Sequence, residues 1–377
     1  MVGFTVGVEE EYQLVDPVTG ALVSRAGEVR AADPTGVVRA EIQATMLEVG
    51  TRPCRSVDAL AAELSRVRAH ARLAAARVDL AVAVAGLHPF SRWVDHHATD
   101  DARCRRLLAR YRHVLRSEHV FGMHVHVAVP AGVDRIDVIN RLRRYVPHLV
   151  ALSASSPFFE GEDTGYASYR TVVAGRLPCS GLPPRCESER QHRALVRALV
   201  RSGVMEDART SYWDIRPHPV HRTVEVRCPD ACPRVADAVA LAALVRALVA
   251  AAVERRVPAA GSGELPGTVE DAILAGDRWH AARYGLDARL TDPDALGAVP
   301  ARTAVRRLLD RIRPAAAALG DAEALTGISE LLARGNAADR MRRHRSTGAD
   351  WREIVRWLVH RSAVPGRPDH GTADVAA

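Results

Sequence analysis

The sequence predicts an α+β protein built on one antiparallel sheet, with helices packed on its outer face and a polar basin on the other. Residues 5–14, 119–130 and 210–228 each alternate apolar and polar side chains, the period of a strand buried on one side only. The segments between and after them place apolar residues at helical spacing. All three polar faces carry the same chemistry of acids, imidazoles and arginines, so a single sheet exposing them together satisfies every stretch at once.

In the first strand Val6, Val8, Tyr12 and Leu14 share one face, and Thr5, Glu9, Glu11 and Gln13 share the other. Two carboxylates two residues apart on one face repel unless a cation lies between them, which is what a hard metal requires. Glu9 and Glu11 are therefore expected to begin a metal–nucleotide site, the alternative being a solvated edge strand. Glu10, between them, is expected to point into the helical layer. Asp16-Pro-Val-Thr-Gly20 is a turn, with residues 21–25 able to return as a partner. In residues 39–51 an extended chain puts Glu41, Gln43 and Thr45 on one face and Glu48 on the other. A bulge or a change of conformation is needed for both acids to meet one site.

Ser56 is the cap of an amphipathic helix reaching about Asp79, with Leu60, Leu64, Val67 and Ala71 in register. Residues 80–86 predict a buried strand, and His88 after it a structural loop histidine rather than a ligand. Residues 100–116 predict a helix. In the next strand Met123, Val125, Val127 and Val129 face one way, and His124, His126 and Ala128 the other. Imidazoles on one strand face stand about 7 Å apart, a metal-ligand spacing. Residues 134–152 predict a helix and 153–187 a long irregular loop, of the kind that carries function in a compact domain. Within it, Arg170 and Arg176 are candidates to hold phosphate or carboxylate.

Residues 210–228 set Trp213, Ile215, Val224, Val226 and Cys228 on apolar faces and Tyr212, Asp214, Arg216, Thr223, Glu225 and Arg227 on polar ones. Glu225 and Arg227 can also be read as a same-face ion pair. Residues 233–360 predict helices broken at 258–267, 293–300 and 320. The expected organisation is one catalytic domain, 1–360, and a disordered tail, 361–377.

Composition excludes several chemistries. All 52 basic residues are arginine, which rules out a P-loop lysine, a lysine Schiff base and a lysine general base. The net charge of +7 is spread among acids along helices, so no nucleic-acid partner is expected. Residues 235–253 approach the length of a membrane span but contain Asp237 and Arg246, which predicts a buried core helix and no membrane association. Six scattered cysteines and no visible signal peptide predict reduced thiols in the cytoplasm. The uneven spacing of Cys228 and Cys232 with Cys179 and Cys186, and the adjacent prolines, argue against zinc.

The basin would then gather Glu9, Glu11, Glu41, Glu48, His124, His126 and Glu225. Several carboxylates, an imidazole and nearby arginines suit Mg²⁺ or Mn²⁺ bridging nucleotide phosphates, with arginine in place of the missing lysine.

Gly7-Val-Glu-Glu-Glu-Tyr12, Glu41 to Glu48, Gly122-Met-His-Val-His126, Ser155-Ser-Pro-Phe-Phe159, Tyr169-Arg170 and Thr223-Val-Glu-Val-Arg227 resemble, in combination and order, the motifs of the carboxylate–amine ligase family known as glutamate–cysteine ligase type two. The resemblance covers nearly the whole chain. It implies a glutamine-synthetase-like fold in which ATP and Mg²⁺ sit in a funnel of antiparallel strands. It makes Glu9, Glu11, Glu41, Glu48, His124 and Glu225 metal ligands, and Arg227, with Arg170, a contact for substrate or phosphate. The implied reaction is amide formation through an acyl phosphate, from the γ-carboxylate of glutamate and an amine such as cysteine. The rival readings are a metal-dependent hydrolase using His124 and His126, and a non-catalytic ATP-binding protein. A homodimer is expected on general grounds.

Overall fold

The computed structural model describes residues 3–258, 266–292 and 297–363. The chain runs β1 (Val6–Val15), α1 (Ala26–Ala31), β2 (Arg39–Ala40), β3 (Met46–Gly50), α2 (Val57–Ala76), β4 (Ala81–Ala83), α3 (Ala102–Tyr111), α4 (His113–Arg116) and β5 (Met123–Ala128). It continues through α5 (Arg135–Leu142), α6 (Val146–Ser153), α7 (Arg170–Ala174), α8 (Glu189–Arg201), β6 (Ile215–Pro217), β7 (Thr223–Val226), α9 (Val235–Val253) and α10 (Gly267–Tyr284). A short hairpin of β8 (Arg289–Thr291) and β9 (Ala298–Pro300) precedes α11 (Ala301–Leu319), α12 (Thr326–Arg334), α13 (Ala337–Ser346) and α14 (Trp351–Arg361).

The seven-stranded sheet has the order β6-β7-β5-β1-β3-β2, with β4 also paired to β1, and every pairing is antiparallel. β1 is central because its inner face is wholly buried: Val6, Val8, Glu10, Tyr12 and Leu14 are all shielded from solvent. They pack under α2 and α9, where Leu60, Leu64, Val67, Leu241, Leu244 and Leu248 are inaccessible to solvent. Each such side chain stabilises the fold by roughly 1.5–3 kcal/mol relative to leaving it exposed. Ser56 Oγ accepts from the Ala59 amide and starts α2 as its cap.

The apolar α9 is the buried core helix that Asp237 and Arg246 predict. Arg246 donates to both oxygens of Asp321 (2.8 and 2.7 Å) and to the carbonyls of Phe4 and Arg55, and Asp237 is held by Arg334 and Arg340. Glu10 does point into the helical layer, where it forms a fully buried ion pair with Arg68 of α2 (2.5 Å). The Tyr12 hydroxyl donates to the same carboxylate.

Four expectations need correction. The helix of 100–116 is broken at Arg112, whose φ of 52° ends α3. The helix of 134–152 is interrupted by a 3₁₀ turn at Arg143–Tyr145, after which Pro147 sits in the first turn of α6, where its missing N–H costs nothing. The loop 153–187 contains α7. Of the break at 293–300, residues 298–300 form β9 and pair with β8, strands too short for alternation to reveal, while 293–296 lie outside the described residues. The tail lies, from residue 364, outside the described residues.

Candidate active site

Antiparallel pairing converts the polar faces into one surface. Across β1 and β5, Glu9 lies opposite His124; across β1 and β3, Glu11 lies opposite Glu48; across β6 and β7, Arg216 lies opposite Glu225. Glu41 arrives differently. The chain leaves strand geometry between β2 and β3, so Glu41 and Glu48 reach the same side, as the change of conformation requires. Glu9, Glu11, Glu41, Glu48, His124, Glu225, Arg170 and Arg227 all line one cavity of about 290 Å³, at the lower end of the range for small-molecule sites.

The acids divide into two electrostatic groups. Burial raises Glu48 to about 9, and the charges of Glu41, Glu9 and Glu11 push the same way. Burial likewise raises Glu11 to about 7, reinforced by Glu41, although Arg170 and the Gly122 amide oppose it. These two carboxylates therefore cannot both ionise at neutral pH without an added cation. In contrast, the imidazoles of His124 and His126, 3.5 and 3.3 Å away, outweigh burial and hold Glu9 well below the usual carboxylate range. Burial and the Arg227 charge push His124 down to about 4, so it is neutral and free to act as a ligand. Glu225 stays ionised against its burial because Arg227 (2.5 Å) and Arg216 (2.8 Å) clamp it.

Arg170 spans the back wall. It donates to the carbonyls of Cys228 and Arg227 (3.3 Å each) and lies 3.8 Å from buried Asp230. Asp230 in turn accepts from the Ser155 amide and the Ser156 and Ser168 hydroxyls, so the Ser155-Ser-Pro motif anchors the 153–187 segment to the sheet. Gly122 completes the joint: its amide donates to Glu11 Oε2 (2.6 Å), and a Cβ there would collide with the Arg170 guanidinium.

Arg176 is a correction. It does not line the cavity; its guanidinium donates to the hydroxyl and carbonyl of Ser117 and to the Val173 carbonyl. It lies six residues after Arg170, in the turn beyond the end of α7. His126 also lies outside the cavity wall. With His218 and Glu225 it forms a group whose donor atoms lie within 4.8 Å of one another. However, His218 Nδ1 accepts from the amides of Val220 and His221 (3.2 and 2.8 Å), so in the neutral ring Nε2 carries the proton and is no ligand. His88 is the structural loop histidine expected, buried and bonded to the Gly20 carbonyl and the Ser91 amide.

Alternation had no means of finding Glu118, which lies in the turn after α4, outside both strand and helix periodicities. It also did not assign Tyr212, Arg103 or the Arg278–Asp214 ion pair (2.6 Å) to the cavity.

An antiparallel sheet carrying acids on its open face, with helices behind it, is the architecture of glutamine-synthetase-like ligases. Solved structures with this fold include a glutamate–cysteine ligase from Francisella tularensis in complex with AMP, at TM-score 0.72 and 14% identity, matched over 98% of this chain and 91% of that one. A bifunctional glutathione synthetase from Pasteurella multocida matches at TM-score 0.69 and 14% identity, over 96% of this chain and 52% of that one. The chain belongs to glutamate-cysteine ligase family 2, whose model matches residues 5–361, and is a carbon–nitrogen ligase. Among its relatives, a Rubrobacter xylanophilus protein named "Putative glutamate--cysteine ligase 2-3" is 39% identical over 365 residues, 96% of this chain and 97% of that protein. A Thermobifida fusca protein named "Putative glutamate--cysteine ligase 2" is 34% identical over 385 residues, 98% and 94% of the two chains.

Proposed function

We propose that the protein is an ATP-dependent carboxylate–amine ligase that activates the γ-carboxylate of glutamate as an acyl phosphate and passes the acyl group to an amine such as cysteine. The observation that carries this reading is the acid wall of Glu9, Glu11, Glu41 and Glu48 faced by Arg170 and Arg227 within one cavity. The fit to a divalent cation rests on the Glu11–Glu48 pair, two facing carboxylates that burial and the charge of Glu41 hold above their ordinary range. Such oxygen donors suit Mg²⁺ or Mn²⁺. When bound, the metal supplies charge neutralisation and ATP supplies the phosphoryl group.

The protein's own groups do the rest. Glu9, Glu11, Glu41, Glu48, His124 and Glu225 would hold the cation. Arg227 is preorganised by Glu225 and sits 3.3 Å from His124 Nδ1, so it can stabilise charge on the transferring group without reorganising. Arg170, fixed by two carbonyls, does the same from the back wall. No protein nucleophile is required.

The test is ADP release with ATP, Mg²⁺, glutamate and a panel of amines. Amine-dependent ADP release is expected, and it should be lost in Glu9→Gln and Glu225→Gln. Activity that survives both substitutions unchanged would overturn the reading.

A further inference from the structure

Glu118 is buried, 9% exposed, yet its Oε2 has no hydrogen-bond partner among the described residues. It lines the cavity. A buried carboxyl oxygen without a donor is costly unless something else satisfies it. Its backbone is tied down: Gln43 Nε2 donates to the Leu115 and Glu118 carbonyls (2.7 and 3.4 Å), and Arg176 grips the neighbouring Ser117. Part of the cavity wall is apolar, formed by Ile42, Leu115, Leu177 and Tyr212, of which Leu115 and Leu177 belong to one buried cluster.

We propose, on the ligase reading above, that Glu118 is the catalytic carboxylate of the amine subsite. It takes the ammonium group of a primary amine whose apolar stem lies on Leu115, Leu177 and Tyr212. The ammonium gives one proton to Glu118, and the freed lone pair forms the C–N bond to the acyl carbon. The C–O bond to phosphate breaks, and its electron pair leaves on phosphate. The second nitrogen proton departs with the phosphate, and the proton on Glu118 returns to solvent. Burial raises Glu118 to about 8, although Arg176 and Arg170 oppose it; the carboxyl is therefore largely neutral at pH 7 until an ammonium enters and favours its ionised form, after which its raised proton affinity makes it a stronger base than an ordinary carboxylate.

The experiment compares n-butylamine with hydroxylamine, which is uncharged at pH 7 and needs neither an ammonium site nor a base. In Glu118→Gln the ratio of kcat/KM for n-butylamine to that for hydroxylamine should fall roughly a hundredfold, the lower end of what a positioned base contributes. A general structural defect would lower both and leave the ratio unmoved. Calorimetric titration of n-butylamine should also show binding to the unsubstituted protein and its loss in Glu118→Gln. Should Glu118→Gln fail to fold, Glu118→Asp carries the test, with a smaller fall in the same ratio. An unchanged ratio in a folded variant overturns the assignment of Glu118 while leaving the ligase reading intact. No ADP release by the unsubstituted protein with either nucleophile overturns the ligase reading itself.

Discussion

Glu11 and Glu48 face each other across the ladder of β1 and β3, two largely buried carboxylates in direct register, 12% and 14% exposed. Both have folded pKa values above the ordinary 4.5, at about 7 and about 9. A raised carboxyl pKa means that the folded state binds the proton more tightly, so the linked stability is full below the ordinary value and is lost as pH rises through 7 and 9. In chelator, therefore, Tm should fall between pH 6 and 9, and Glu48→Gln should reduce that fall by about 2 °C or more. Added Mg²⁺ should raise the Tm of the unsubstituted protein more than that of Glu48→Gln. Parallel pH curves for the two proteins, measured by calorimetry, would count against the pair as a metal site.

Glu10 lies between two site acids but serves the core. Removing one partner of its buried pair with Arg68 leaves an uncompensated charge, at a cost of about 3–5 kcal/mol. Glu10→Gln should lower the denaturation midpoint accordingly, while the folded fraction keeps its affinity for Mg²⁺. Loss of Mg²⁺ binding without loss of stability, read by titration calorimetry and urea melts, would contradict this division.

Arg170 and Arg176 should behave oppositely although one begins α7 and the other lies in the turn just after it. Arg170→Ala removes a donor from the cavity wall and should lower kcat roughly a hundredfold. Arg176→Ala should cost about 1 kcal/mol of stability through the Ser117 carbonyl, without raising the KM for ATP. Steady-state kinetics on both variants decide the matter.

Gly122→Ala tests whether Arg170 must sit where it does. The added Cβ collides with its guanidinium, and such a displacement should lower kcat by up to roughly a hundredfold. Because both changes act through one group, Gly122→Ala with Arg170→Ala should be little worse than Arg170→Ala alone. Full additivity in the double-mutant cycle would show that Gly122 acts by another route.

The alternation of residues 5–14 determined that Glu9 and Glu11 stand on the face opposite Val6 and Tyr12, and that Glu10 turns inward. The same rule put His124 with His126 and Glu225 with Arg227, because a strand's period of two is local and every residue obeys it. Tertiary structure alone decided which of these faces meet and how the cations are shared. Glu41 joins through the turn into β3, and Glu118 through the turn between α4 and β5, both outside any period. Arg216 and Arg227 are divided onto Glu225, Arg68 onto Glu10 and Arg176 onto Ser117 by through-space distance. In a chain whose basic residues are all arginine, the donor available to the cavity is the one the fold leaves facing it, and sequence spacing carries no record of that allocation.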